Sequence, residues 1–214
     1  LEKVDANSTG PYDRIRNGSF GRADDLRGLI TNSRLSGKFA NLIYSLNTTN
    51  TDFYAYQFKP VLQFLDSPSN GIIIADEVGL GKTIEAGLIW TELRAREDAR
   101  RLLVICPAML REKWIDELMK RFGVKAKIVD AGELLDGLNI ALQHPLDGFA
   151  YISSFQGLRP PRGWDKDEDE RENPPPDTKT AQLARFLNSS DQVDSLFDLV
   201  IVDEAHYLRN ANTQ

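Results

Sequence analysis

Short apolar runs alternate with longer amphipathic segments through the chain from residue 71 onward. In two of those segments, residues 83–96 and 109–122, apolar positions recur at helical spacing. Strands that alternate with helices are typical of a parallel sheet covered on both faces, because right-handed crossovers place the helices there. The pattern therefore predicts an α/β fold with a mostly parallel sheet. Its predicted strands are GIIIA (71–75), LLVIC (102–106), AKIVD (126–130), FAYIS (149–153) and LVIVD (199–203).

The first part of the chain lacks this alternation. Residues 1–33 are rich in Asn, Gly, Ser, Arg and Asp, which predicts an irregular arm, and helical spacing of apolar residues follows over 35–46. We therefore divide the chain into an N-terminal arm and helix, residues 1–52, and a main domain, residues 53–214. The first part can also be read as the edge of a further domain. A helix over 56–64 and a turn at 67–71 are predicted next.

The segment 159–180 interrupts the main domain. It has prolines at both ends, and within 165–172 it has six acidic residues against two basic ones. Such a stretch buries too little apolar surface to fold by itself. We expect a solvated surface insertion before a helix that begins near Thr180, with a regulatory or partner-binding role as the less favoured alternative.

Composition sets limits on partners and compartment. The chain has 214 residues and a net charge of -6, so a surface that is basic all over is excluded, although a local patch could still bind nucleic acid. Its single cysteine, Cys106, suits a reducing cytoplasm and is expected to be a small buried hydrophobic residue. No stretch approaches the ~18 to 20 apolar residues that a membrane span requires.

The stretch ADEVGLGKT follows the first apolar run and has the spacing of a phosphate-binding loop. Gly79 and Gly81 allow the backbone to come close to an anion, and the start of a helix adds positive potential. Lys82 can reach the β and γ phosphates, and the Thr83 hydroxyl can ligate magnesium. The strict pattern has glycine where this chain has Asp76. A strand-to-helix turn that uses glycine only for geometry therefore stays open as an alternative.

Two carboxylates follow the last apolar run, in the stretch DLVIVDEAH. Ligands of parallel sheets collect at the carboxyl ends of the strands, where this pair is expected to lie. If its strand lies beside the one that leads into the phosphate loop, Asp203 can hold the magnesium shell. Glu204 can then orient and deprotonate the attacking water. The stretches ADEVGLGKT and DLVIVDEAH together indicate nucleotide hydrolysis. Taken alone, DLVIVDEAH has a simpler structural alternative, a solvated acidic strand end.

The stretches DEVGLGKTIEAG (76–87) and VDEAHYLRN (202–210) resemble the first and second helicase motifs of superfamily two. The form is that of the Swi/Snf-type family of DNA-translocating ATPases, in which Asp-Glu stands where a strict phosphate loop has Gly-x. The residues of the first of these stretches are most similar to those of the bacterial subgroup that includes the ATPase that recycles RNA polymerase. The resemblance covers about residues 53–210 and implies the first RecA-like lobe of a P-loop NTPase.

The resemblance also assigns site residues. Lys82, Asp203 and Glu204 would be catalytic, with Thr83 and Asp203 on Mg²⁺, and His206 would relay the nucleotide state to a partner lobe. As a lone histidine, His206 could equally be structural. The stretch YQFKPVLQFL resembles the segment upstream of the phosphate loop, so Gln57 would contact adenine. The implied ATP-binding residues are Gln57, Glu77, Gly79, Leu80, Gly81, Lys82 and Thr83.

Two more stretches resemble motifs Ia and Ib, which lie against the DNA backbone in the family: ICPAMLREKWIDEL (105–118) and YISSFQGL (151–158). The start of a helix after Pro107 and Ala108 offers N–H groups that suit a phosphate. Ser153 and Ser154 offer hydroxyls, for which local capping is an equal alternative. We expect Trp114 to be a packing residue.

By this resemblance the chain would be an excised part of a DNA-dependent ATPase that couples Mg-ATP hydrolysis to movement on duplex DNA and to remodelling of protein–DNA complexes. The third to sixth motifs and the second RecA-like lobe lie outside this sequence. That lobe supplies an arginine worth ~10³ to 10⁵ in rate in comparable NTPases, so this part alone is expected to turn over little ATP. Double-stranded DNA, the second lobe and RNA polymerase or another protein on DNA are the expected partners, with no membrane.

Two other functions stay open from the sequence. A strand-separating helicase, or the motor subunit of a restriction or phage-defence system, shares both motifs. A non-catalytic interaction module could keep the same fold, but it would need none of the chemical groups on Lys82, Thr83, Asp203 and Glu204.

Overall fold

The computed structural model describes residues 54–69, 71–77, 79–164, 177–189 and 196–208. The N-terminal arm, the helix predicted over 35–46 and residues 165–176 of the acidic insertion lie outside the described residues. The predictions for those segments stay predictions.

A parallel sheet forms the centre of the described fold. Its four strands are β1 (Arg101–Cys106), β2 (Lys127–Ile128), β3 (Phe149–Ser154) and β4 (Leu199–Val202). They are arranged in the order β2-β3-β1-β4, and every pair is parallel. β1 lies between β3 and β4, and after Arg101 its residues are apolar on both faces. β4 pairs with it from Leu102↔Leu199 to Ile105↔Val202.

Helices cover both faces of this sheet, as predicted. One face packs against α1, α2 and α3 through a core that includes Leu88, Val104 and Leu118, and the other packs against α4 and α6 through Leu138 and Leu183. The described helices are α1 (Lys59–Leu65), α2 (Lys82–Glu97), α3 (Arg111–Phe122), α4 (Ala131–Gln143), α5 (Phe155–Leu158) and α6 (Lys179–Ser189), with 3₁₀ turns at Ala55–Phe58, Ala108–Leu110 and Ala205–Leu208.

The predicted strand over 71–75 is wrong: residues 71–77 are described and have no strand assignment. Ile72 and Ile74 pack against the same core as α1 to α3, whereas Ile73 is 92% exposed. The segment is therefore packed along one side without belonging to the hydrogen-bonded sheet. An apolar run reports burial, but a strand also needs a partner for its backbone groups, and the run alone does not specify one.

Helix α4 was not predicted, although its start carries a local signal. The Asp130 side chain accepts from the Glu133 N–H at 2.9 Å, and the Glu133 side chain accepts from the Asp130 N–H at 3.2 Å. This reciprocal capping box satisfies two donors that a helix start otherwise leaves unpaired.

Within the part of the chain that the structure describes, no helix has the length and apolarity needed to cross a membrane.

Cys106 ends β1 and is fully buried. Burial, with a smaller contribution from the negative charge of Asp203, raises the pKa of its thiol to about 11. A thiol with this pKa stays protonated at neutral pH and is a poor nucleophile. The expectation that Cys106 is a small buried hydrophobic residue is confirmed.

Candidate nucleotide site

The loop between residues 75 and 82 turns sharply into helix α2. Gly79 and Gly81 have φ angles of 94° and 98°, in the left-handed region that side chains disfavour. The Gly81 carbonyl accepts from Ile84 N at 2.7 Å and from Glu85 N at 3.0 Å, so the helix begins directly after it. Glycine is therefore required here by backbone geometry, and the loop presents the positive end of a helix of 16 residues.

Lys82 is held by the loop that precedes it. Its Nζ donates to the carbonyl oxygens of Asp76 at 2.9 Å and Glu77 at 3.3 Å. The Glu77 carbonyl also accepts from Leu80 N at 3.4 Å. The ammonium group thus lies inside the curve of the loop, where an anion bound by the loop would meet it. Val78 lies outside the described residues.

Gln57 is buried and contacts the same loop. Its Nε2 donates to the Leu80 carbonyl at 3.3 Å, while its Oε1 accepts from Tyr54 N at 3.2 Å. The Tyr56 hydroxyl also donates to the Leu80 carbonyl, at 3.3 Å. Its ring stacks on Tyr54 with centroids 5.6 Å apart. The adenine contact predicted for Gln57 stays a prediction. The support of the loop by Tyr56 was missed, since a residue 24 positions from Leu80 gives no sequence signal for it.

Gly81→Ala is expected to weaken nucleotide binding at least tenfold. A Cβ at this position would lie 2.7 Å from Gln57 Nε2, and the left-handed φ itself costs about 1–2 kcal/mol for a non-glycine residue. Gly123→Ala is the matched control, because Gly123 is also left-handed at 63° but nothing lies within 4 Å of its added Cβ. Titration with a fluorescent ATP analogue measures both. Equal nucleotide affinity for the two variants would contradict this account of the loop.

Glu85 was also missed. It occupies the first turn of α2, is fully buried, and neither carboxylate oxygen has a hydrogen-bond partner among the described residues. Burial, followed by the nearby Asp76 carboxyl, raises the pKa of Glu85 to about 7, while the Lys82 charge opposes this rise. Two ionised carboxylates repel each other, so the proximity of Asp76 favours a proton on one of them, and burial favours Glu85 as its holder.

The raised pKa of Glu85 predicts a pH-dependent stability. Between pH 4.5 and about 7 the unfolded chain has lost this proton whereas the folded chain keeps it. Stability therefore falls as the pH rises through this window, by at most about 1.4 kcal/mol per pH unit. Glu85→Gln is expected to remove this component of the slope. Urea unfolding of both proteins at several pH values measures the difference, and parallel profiles would contradict the assignment.

Asp203 follows β4 and is anchored to β1 and α3. Its N–H donates to the Ile105 carbonyl at 2.9 Å, and its Oδ2 accepts from Trp114 Nε1 at 2.9 Å. Trp114 is 2% exposed and packs in the core, as predicted, but its hydrogen bond to Asp203 was not predicted. Asp203 therefore lies at the carboxyl end of the parallel sheet, as expected. Within the described residues the strand that pairs with β4 is β1, and not the run over 71–75 that leads into the loop.

Glu204 and His206 are exposed beside Asp203. Glu204 has a φ of 55°, a left-handed conformation that is uncommon outside glycine. Its Oε2 lies 3.1 Å from Nδ1 of His206, whose ring stacks on Tyr207. The exposed carboxylate is accessible to a water molecule, and its contact with His206 connects it to the 3₁₀ turn Ala205–Leu208. The roles predicted for both residues stay predictions.

The residues present fit a magnesium ion that is shared with a nucleotide. Mg²⁺ is usually bound by one or two protein oxygens together with phosphates and waters. Asp203 has one oxygen held by Trp114 and a second that accepts no hydrogen bond from the described residues. The Thr83 hydroxyl lies in the first turn of α2. The described residues contain no group of three or more His, Cys, Asp or Glu that could hold a metal alone, and a shared site does not need one.

Comparison with known proteins decides the family. Residues 38–214 match the SNF2-related domain. The chain belongs to the SNF2-related domain family. The curated proteins to which it is similar include the RNA polymerase-associated protein RapA of several bacteria, so the predicted Swi/Snf-type family and subgroup are confirmed.

These relatives are much longer than the matched region. RapA of Stutzerimonas stutzeri is 29% identical over 174 residues, covering 81% of this chain and 16% of that protein. RapA of Photobacterium profundum is 33% identical over 138 residues, covering 64% of this chain and 12% of that protein. The chain spans less than a fifth of the length of these relatives.

The residues of this SNF2-related domain that were predicted to contact DNA have contrasting environments. Pro107 caps the 3₁₀ turn Ala108–Leu110, which leads directly into α3, so the predicted helix start is present, and Ala108 is exposed. Ser153 and Ser154 are only 1% and 5% exposed. The Ser153 hydroxyl donates to the Val129 carbonyl at 2.8 Å, and the Ser154 oxygen accepts from Gly157 N at 3.1 Å. Ser154 caps a helix, as the capping alternative predicts, whereas Ser153 bonds to a carbonyl 24 residues away. The DNA contact of both serines stays a prediction.

Proposed function

We propose that the complete protein is a DNA-dependent ATPase that couples Mg-ATP hydrolysis to movement on duplex DNA, and that residues 53–214 form its first ATP-binding lobe. The observation that carries this proposal is the loop before α2, in which two left-handed glycines precede the helix start and the Lys82 ammonium bonds to two carbonyls of the loop. A turn that used glycine only for geometry would not need the lysine inside it.

The loop accounts for nucleotide binding. Backbone N–H groups at the start of α2 and the Lys82 ammonium would receive the β and γ phosphates of ATP. A phosphate oxygen would replace the neutral carbonyls of Asp76 and Glu77 as partners of Lys82. The ammonium would then be paired with an anionic oxygen instead of a neutral carbonyl, and the added Coulomb attraction favours the bound state. Gln57 and Tyr56 would hold the loop in position through their hydrogen bonds to the Leu80 carbonyl.

Hydrolysis would use the residues that follow β4. Thr83 and Asp203 would hold magnesium, which would neutralise part of the negative charge of the phosphates. Glu204 would orient a water molecule and accept its proton, which its exposure at the strand end permits. His206, in contact with Glu204, would connect the state of this carboxylate to a neighbouring lobe.

Duplex DNA and a protein bound to it are the proposed substrates of the motor. The exposed turn at Ala108–Leu110 would face a DNA phosphate, and a second RecA-like lobe of the same protein would complete the site and step along the strand. The relatives are named as RNA polymerase-associated proteins, which makes RNA polymerase in the bacterial cytoplasm the proposed partner.

The test uses the complete protein with ATP and Mg²⁺. ATP turnover is measured with no DNA, with duplex DNA and with single-stranded DNA, alongside displacement of stalled RNA polymerase from a duplex template. Stimulation by duplex DNA and polymerase displacement are expected. Efficient separation of a forked duplex would instead identify a strand-separating helicase, and the absence of turnover under all conditions would favour the non-catalytic module.

A further inference from the structure

Trp114 and Asp203 form a direct contact between two elements that are distant in sequence. The indole Nε1 donates to Asp203 Oδ2 at 2.9 Å across a separation of 89 residues. The indole is 2% exposed and belongs to the core that also contains Leu88 of α2 and Val104 of β1, so packing restricts its orientation. The Asp203 backbone is fixed separately by its N–H bond to Ile105.

An indole is well suited to hold a carboxylate that must also bind a cation. It donates one hydrogen bond and accepts none, so it cannot itself become a metal ligand. It carries no charge, so it leaves the negative charge of the carboxylate available. With Oδ2 bonded to Trp114, Oδ1 is the oxygen that accepts no hydrogen bond from the described residues and has both lone pairs open to a further ligand.

We propose that Trp114 is a positioning residue for the magnesium-binding carboxylate of Asp203, and this inference rests on the proposed function. Its N–H selects one rotamer of Asp203 and directs the second oxygen to the metal. Outer contacts of this kind raise metal affinity by fixing ligand orientation, and their removal costs roughly 10–100-fold in comparable metal sites. Trp114 therefore acts on the cation through Asp203, without touching nucleotide or metal.

The chain offers a matched control for this role. Trp90 in α2 is also 2% exposed, and its Nε1 has no hydrogen-bond partner among the described residues. Trp114→Phe and Trp90→Phe each remove the same atoms from the same core. Only the first removes an N–H that is bonded to Asp203.

The experiment measures binding of a fluorescent ATP analogue to the complete protein over a range of Mg²⁺ concentrations and in EDTA. W114F is expected to raise the Mg²⁺ concentration for half-maximal binding by about tenfold or more. Its affinity for the nucleotide in EDTA should equal that of the wild type, because no nucleotide contact is lost. W90F should match the wild type in both conditions, and thermal unfolding of both variants reports any common loss of stability.

A measurement on the folded wild type covers the case in which W114F is too unstable. In protein labelled with 5-fluorotryptophan, the fluorine resonance of Trp114 should shift when Mg²⁺ is added at saturating nucleotide, whereas that of Trp90 should not. An unchanged Mg²⁺ dependence in folded W114F, an equal change in W90F, or an unmoved Trp114 resonance would overturn the inference alone. No nucleotide binding by the wild type at any Mg²⁺ concentration would overturn the proposed function and the inference with it.

Discussion

Replacing Lys82 with Ala is expected to reduce ATP hydrolysis by about 10²–10³-fold and to weaken Mg-ATP binding. The ammonium lies within hydrogen-bond distance of the Asp76 and Glu77 carbonyls, in the loop that we propose binds phosphate. Without the ammonium, magnesium would be the one cation left in the proposed site to stabilise the charge that develops on the transferred phosphoryl group. Titration calorimetry and steady-state turnover of the complete protein measure the two effects.

The control for this variant is Lys120→Ala. Lys120 is an exposed lysine on α3 that pairs with Asp116 one turn earlier, so its removal changes the net charge equally without touching the loop. Exposed ion pairs of this kind contribute little to stability. If K82A kept wild-type turnover, or if K120A lost as much, the loop between residues 75 and 82 would not be the phosphate site.

Glu204→Gln is expected to reduce hydrolysis by about 10²–10⁴-fold while leaving ATP binding intact. The amide keeps the shape of the side chain but cannot accept a proton from water. Because Asp203 and Lys82 are untouched, the variant should accumulate with ATP bound. Single-turnover hydrolysis and nucleotide binding, measured on the same preparation, separate the chemical step from binding.

Glu97→Gln serves as the control for that substitution, since Glu97 is an exposed carboxylate in the last turn of α2. It should hydrolyse ATP at the wild-type rate. Loss of ATP binding in E204Q would assign Glu204 to the nucleotide pocket instead of to water. Unchanged hydrolysis would exclude it as the base and favour the non-catalytic module.

Local patterns were sufficient for two long helices and for short features of the site. The spacing of apolar residues predicts α2 and α3 to within two residues of their observed bounds, because helix burial repeats along one face. The left-handed glycines before α2 and the carboxylates after β4 follow from short motifs. The run over 71–75 failed because strand pairing depends on a partner far along the chain, which an apolar run does not identify.

The parts of the site that the sequence could not predict are side-chain contacts between distant elements. Tyr56 reaches Leu80 across 24 residues, and Trp114 reaches Asp203 across 89. Trp114 was correctly predicted to be buried, but burial does not specify the direction of its N–H. For Glu85 a local signal was present, because this acidic residue closely follows the phosphate loop and lies near Asp76, the residue that replaces the usual glycine.

The left-handed backbone of Glu204 gives this position a value as an evolutionary marker. A glycine would adopt the same φ without the steric cost that Glu204 bears, so stability alone favours losing the carboxylate. Under the proposed function, the need for a general base opposes that change. If the complete protein has the proposed activity, a relative that keeps the fold without hydrolysing nucleotide is expected to drift toward glycine at this position, and a relative that hydrolyses nucleotide is expected to keep the carboxylate.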